Sequence, residues 1–131
     1  MRKNILIVED DPFTVEFYKY FFKRTEYSII HSENGDEILT ILNNNHIALI
    51  ILDINLKNTF MMGRKIDGLY LLNYVKNEQK YSAVPVLIVT AYQRNFSSQK
   101  CFDESLADDY ITKPISNFNE LLDKIHNLVK D

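Results

Sequence analysis

Residues Ile47–Asp53 read IALIILD: six apolar residues in a row, closed by an acid. A run this short and uninterrupted suits a strand buried on both faces, as in the middle of a parallel sheet. Two more runs have the same character. Asn4–Val8 (NILIV) leads into Glu9-Asp10-Asp11, and Val84–Val89 (VPVLIV) leads into Thr90-Ala91. Tyr27–His31 and the short Tyr110–Ile111 complete five strand candidates, the last running on to Lys113-Pro114.

Amphipathic stretches separate these runs. Pro12–Thr25 carries Phe13, Phe17, Tyr20 and Phe21 at helical spacing, and Asp11-Pro12 is a helix start signal. Gly35–Asn45, with Ile38, Leu39, Ile41 and Leu42, predicts a second helix. Leu69–Lys80, with Leu69, Leu72 and Val75, predicts a third. Phe96–Leu106 is a weaker fourth, and Asn117–Lys130 a fifth, with Phe118, Leu121, Leu122, Ile125, Leu128 and Val129. Five alternations of strand and helix predict an α/β fold: a doubly wound five-stranded parallel sheet with helices on both faces.

The 131 residues suffice for one domain, read here as residues 1–131. Hydrophobic content of 46% with 25% charge excludes a disordered chain. A net charge of −3 argues against a basic nucleic-acid-binding surface. Cys101 is the single cysteine, so no internal disulfide forms, and a reducing compartment is expected. The longest apolar run is Ile47–Leu52, far short of the ~20 residues of a membrane span. The basic start Met1-Arg2-Lys3 runs straight into a strand, without the cleavage pattern of a signal peptide.

In doubly wound sheets, ligands bind beyond the carboxyl ends of the strands. The residues there are Glu9, Asp10 and Asp11, Asp53, Thr90 and Lys113. Carboxylates Glu9, Asp10 and Asp53 would share one crevice, where like charges repel unless a cation sits among them. An all-oxygen donor set favours Mg2+ over Zn2+. Thr90 and Lys113 would offer a hydroxyl and a positive charge to phosphoryl oxygens. Asp53 then reads as a nucleophile that forms an acyl phosphate.

With these motifs in order, the sequence resembles the receiver domain of bacterial two-component response regulators (CheY-like). ILIVEDD at Ile5–Asp11, SENGDEIL at Ser32–Leu39, LIILDINL at Leu49–Leu56, VPVLIVTA at Val84–Ala91 and ADDYITKPI at Ala107–Ile115 carry the resemblance over essentially the whole chain. The resemblance implies a (βα)5 flavodoxin-like sheet of strand order 2-1-3-4-5. It implies Asp53 as phosphoacceptor, Asp10 as a direct Mg2+ ligand, Glu9 acting mostly through metal-bound water, and Asn55 offering its backbone carbonyl. It further implies Thr90 and Tyr110 as a coupled switch, Lys113 as the phosphoryl partner, and a cis bond before Pro114. Implied partners are a sensor histidine kinase or phosphotransfer protein and a downstream protein or fused effector. A homodimer through the fourth helix, fifth strand and fifth helix is left open. Direct nucleic-acid or membrane binding is not implied, and the location implied is cytoplasmic. The site would phosphorylate and dephosphorylate itself without being a turnover enzyme.

Three departures stand out. The family's usual proline four residues past the phosphoacceptor is Lys57 here, and the matching Asp67-Gly68 arrives late. Asn58–Ile66 (NTFMMGRKI) therefore reads as a loop insertion of about seven residues, either a lid or partner contact or a tolerated surface insertion. Leu106 replaces a glycine and would be strained at positive φ. Tyr92 lies near enough to Thr90 to slow the attack of water.

Several residues have simpler readings. Asp11 is a helix cap before it is a metal ligand, and Asp108 and Asp109 are turn residues. His31, His46 and His126 lack catalytic partners in sequence, and Cys101 is a packed or idle thiol. Tyr18, Tyr20 and Phe21 read as core, Phe22 and Tyr70 as surface. Two competing functions are weaker. A phosphohydrolase of the haloacid dehalogenase type places its nucleophile after the first strand in an Asp-x-Asp pattern, whereas Asn55 follows Asp53 here. A phosphorylation-independent interaction module has no need of the full acid–hydroxyl–lysine set. The chain is either a stand-alone regulator or the first part of a longer one.

Overall fold

The computed structural model describes residues 2–91 and 102–129. Its elements are β1 (Lys3–Val8), α1 (Pro12–Phe22), β2 (Tyr27–Ser32), α2 (Gly35–Asn44), β3 (Ile47–Asp53), β4 (Thr59–Met61), β5 (Arg64–Ile66), α3 (Gly68–Asn77), β6 (Val86–Ala91), β7 (Asp109–Lys113) and α4 (Phe118–Leu128). Most of the predicted helix Phe96–Leu106, with Tyr92 and Cys101, lies outside the described residues.

Five strands form one parallel sheet of order β2-β1-β3-β6-β7. This is the expected 2-1-3-4-5 order, renumbered by the two extra strands. β3 is the central strand and is buried at every position. Side chains alternate across the sheet. Leu6, Val8, Ile50 and Leu52 pack with Ile38, Leu42, Leu71, Leu72 and Val75 on the α2–α3 side. Ile5, Ile7, Leu49 and Ile51 pack with Tyr18, Phe22, Leu121 and Ile125 on the α1–α4 side. Each helix opens on a side-chain cap: Asp11, Asn34, Asp67 and Asn117 each accept a backbone N–H from the first turn.

The face of α1 differs from the prediction. Val15, Tyr18 and Phe22 point inward, while Phe13 and Tyr20 are exposed. The 15-18-22 spacing is a true helical stripe, but so many aromatics obscure it. Phe17 and Phe21 are partly buried because Phe118 of α4 closes over them, at ring separations of 5.6 and 6.0 Å. In α3, Leu71 is buried in place of the predicted Leu69, which is 39% exposed. Asp108 and Asp109 are more than turn residues. Asp108 accepts from Lys76 Nζ and Val86 N, both at 2.8 Å, which ties α3 to the start of β6. Asp109 accepts from Lys124 Nζ of α4.

The predicted loop insertion is a β-hairpin. β4 and β5 pair antiparallel, Thr59 with Ile66 and Met61 with Arg64. The two-residue turn has positive φ at Met62 (53°) and Gly63 (76°), the signature of a type I′ turn. Met61 and Ile66 join the α2–α3 core, while Phe60, Met62, Arg64 and Lys65 face out. Met62 and Gly63 alone have positive φ among the described residues, so Leu106 sits in unstrained backbone.

Candidate functional site

Parallel strands end on the same edge, and β1, β3 and β7 bring Glu9, Asp10, Asp53 and Lys113 into one crevice. Glu9 follows β1, Asp53 ends β3, and Thr90 lies near the end of β6 beside Thr112 of β7. Lys113 closes β7. Glu9, Asp53 and Thr90 are buried, at 1%, 5% and 4% exposure. One carboxylate oxygen from each of Glu9, Asp10 and Asp53 lies within 4.8 Å of the others. Lys113 Nζ reaches both buried acids, 3.0 Å from Glu9 Oε1 and 3.3 Å from Asp53 Oδ2.

The charges are unbalanced. One lysine faces three carboxyl groups, two of them removed from water. Burial, reinforced by Asp53, raises the Glu9 pKa to about 7. Burial works against the Lys113 charge, but the Asp53 and Glu9 carboxylates outweigh it and the pKa rises. A crevice that stores negative charge, and whose acid cluster among the described residues holds carboxylates alone, fits a small hard cation.

The neighbouring residues hold these groups in place. Asn55 N donates to Asp53 Oδ1 at 2.9 Å, and Ala91 N donates to Asn55 Oδ1 at 3.3 Å, which links the ends of β3 and β6. Gly68 lets α3 start directly against β3: a Cβ there would lie 2.4 Å from the Asp53 carbonyl oxygen. Asp11 is a cap, accepting from Phe13 N and from Thr14 Oγ1 at 2.7 Å. The Thr14 hydroxyl is the main reason its pKa falls below the usual value. The Lys113–Pro114 bond is cis, as the resemblance implies. Tyr110 is partly buried, with its ring 5.3 Å from that of Phe102 and Lys124 Nζ 5.4 Å from its centroid. A groove of about 580 Å³, lined in part by Phe13, Phe17 and Ile115, opens beside Lys113.

Sequence reading missed three contacts. Asp10 Oδ2 accepts the amides of Lys57 and Asn58 at the root of the hairpin. The His31 ring, through Nε2, donates to the Glu9 carbonyl at 2.8 Å. The Tyr27 hydroxyl and His126 Nδ1 are hydrogen-bonded across 99 residues of chain. None carries a motif, because each joins segments distant in sequence.

The family model for the response regulator receiver domain matches residues 5–126. The chain belongs to this family. The response regulator GtcR of Aneurinibacillus migulanus is 34% identical over 117 residues, covering 88% of this chain and 43% of GtcR. The chain thus spans less than half of that relative. The solved receiver domain of a signal transduction histidine kinase from Syntrophus aciditrophicus superposes with a TM-score of 0.76 at 29% identity, covering 96% of this chain and 89% of that one. The receiver domain of sensor histidine kinase PA1611 from Pseudomonas aeruginosa shares the fold, with a TM-score of 0.79, 19% identity and 98% coverage of both chains. That structure has a magnesium ion coordinated in its active site cleft.

Proposed function

We propose that this receiver domain is a phosphorylation switch in which Asp53 takes a phosphoryl group from a phosphohistidine of a sensor kinase or phosphotransfer protein. The observation that carries this reading is the convergence of Glu9, Asp10, Asp53 and Lys113 in one crevice. Glu9, Asp10, Asp53 and the Asn55 carbonyl would hold Mg2+, the ion named in the P. aeruginosa cleft. Bound there, the ion would offset the carboxylate charge and the charge of the incoming phosphoryl oxygens.

The chain's own groups do the rest. An Asp53 carboxylate oxygen attacks phosphorus; the phosphorus–nitrogen bond breaks and the imidazole departs. Lys113 supplies a fixed positive charge to a phosphoryl oxygen, and the Thr90 hydroxyl donates to another. The apolar groove beside Lys113 gives the donor protein a surface to pack on. Movement of Thr90 toward the phosphoryl group would draw Tyr110 inward and alter the surface formed by β7 and α4. The output is then contact with a downstream protein or fused effector in the cytoplasm, with no catalytic turnover of a separate substrate.

The test is incubation with acetyl phosphate and Mg2+, read by intact mass. Wild type is expected to gain one phosphoryl group only when Mg2+ is present, and Asp53→Asn none. A folded wild type that stays unmodified overturns the reading.

A further inference from the structure

The hairpin touches the acid cluster at one end and α2 at the other. At its root, Lys57 N and Asn58 N donate to Asp10 Oδ2, at 2.6 and 2.9 Å. At its turn, Met62 N donates to both carboxylate oxygens of Asp36, at 3.1 and 3.2 Å. Between these points, Met61 and Ile66 are buried in the core. The fit against α2 is close: a Cβ on Gly35 would lie 2.5 Å from the Met61 Cβ and 2.8 Å from the Phe60 carbonyl oxygen. The hairpin is therefore held at both ends and along its buried face.

This arrangement matters for Asp10. Its carboxylate is less buried than those of Glu9 and Asp53 and is repelled by both. Left to itself, a partly buried aspartate so repelled would rotate toward water. Two backbone donors fix the Oδ2 oxygen and so restrict rotation of the whole carboxylate. Position 57 can take part because it is lysine; proline there would have no N–H to give.

We infer that the inserted hairpin is a working part of the cation site, in which the Lys57 and Asn58 amides position the Asp10 carboxylate for Mg2+. These are positioning residues, comparable with the outer hydrogen bonds that orient metal ligands elsewhere. The inference rests on the reading of the acid cluster as a Mg2+ site.

Calorimetric titration of the full chain with MgCl2, without any phosphodonor, tests it. Lys57→Pro removes one amide and is expected to weaken Mg2+ binding ~10-fold. Lys57→Ala keeps the amide and should bind no more weakly than wild type. Gly35→Ala touches no acid but pushes Met61 away, and should also weaken binding several-fold. The Asn58 amide resonance should shift on adding Mg2+ to wild type. Wild-type affinity in folded Lys57→Pro and Gly35→Ala overturns the hairpin's role, and so does tighter binding, which would mean the amides compete with the ion. Equal weakening by Lys57→Ala and Lys57→Pro overturns it too, by assigning the effect to the side chain. If Lys57→Pro does not fold, Gly35→Ala decides. Should wild type itself bind no Mg2+ at millimolar concentration, the site reading falls and this inference with it. Mg2+ binding and phosphorylation in wild type, with unaltered variants, sinks the hairpin's role alone.

Discussion

The carboxyl edge of the sheet and the hairpin beyond β3 share Asp10, yet they are built differently. Along the edge, each functional group sits at or beside the end of its own strand, and parallel pairing brings the ends together. Among the described residues, the hairpin forms a two-stranded sheet of its own, apart from the main one. It is held by the buried side chains of Thr59, Met61 and Ile66, by Asp36 and by the carboxylate of Asp10. The edge therefore draws its geometry from a cooperative core. The hairpin draws its geometry from a few contacts at its rim, so small changes there should act locally.

Three variants probe this contrast. The largest effect is expected at the edge, from Gly68→Ala. The new Cβ would meet the backbone of Asp53 and Ile54 at 2.4–2.5 Å, which no side-chain rotation relieves. A loss of about 2–4 kcal/mol is expected in urea unfolding. A loss below 1 kcal/mol would show that α3 shifts freely against β3.

The next effect concerns the buried acids without metal. Glu9 has its pKa raised to about 7 in the folded state, against 4.5 as the reference. Between those values the folded protein keeps a proton that the unfolded chain releases. Stability in the presence of EDTA should therefore fall as pH rises from about 4.5 to 7, by on the order of 1–3 kcal/mol. Glu9→Gln should flatten that slope in a series of thermal melts. An unchanged slope would assign the pH dependence to other groups.

The smallest effect belongs to the hairpin turn. Met62 adopts φ 53°, a left-handed conformation that asparagine tolerates better. Met62→Asn should stabilise the protein by about 0.5 kcal/mol, with Mg2+ affinity unchanged. A loss of stability would show that the exposed Met62 side chain makes contacts worth more than the relief of strain.

The parts that were legible and those that were not divide along the same boundary. Of the residues expected at strand ends, Glu9, Asp10, Asp53 and Lys113 converge in one crevice, Thr90 is buried near the end of β6, and Asp11 caps α1. A strand's apolar run announces itself, and the position just past it follows. Helix faces were less legible. The first helix holds Phe13, Phe17, Tyr18, Tyr20, Phe21 and Phe22, and hydrophobicity cannot rank six aromatics by direction. Packing chose Tyr18 and Phe22, and set Phe17 and Phe21 against Phe118. The hairpin was visible only as extra length. Its turn residues, Met62-Gly63, lack the Asn-Gly or Asp-Gly signal that usually betrays a type I′ turn.

The sequence by itself determined the five sheet strands, their parallel pairing and the identity of the groups at their ends. Those features depend on local hydrophobic runs and on the short connections that order them. Only the tertiary structure decided that the residues after Asp53 fold into a hairpin, that Gly35 leaves room for it, and that Lys57 and Asn58 turn their amides to Asp10. Backbone donors carry no side-chain signature. Their partners become known only when segments some 47 residues apart meet.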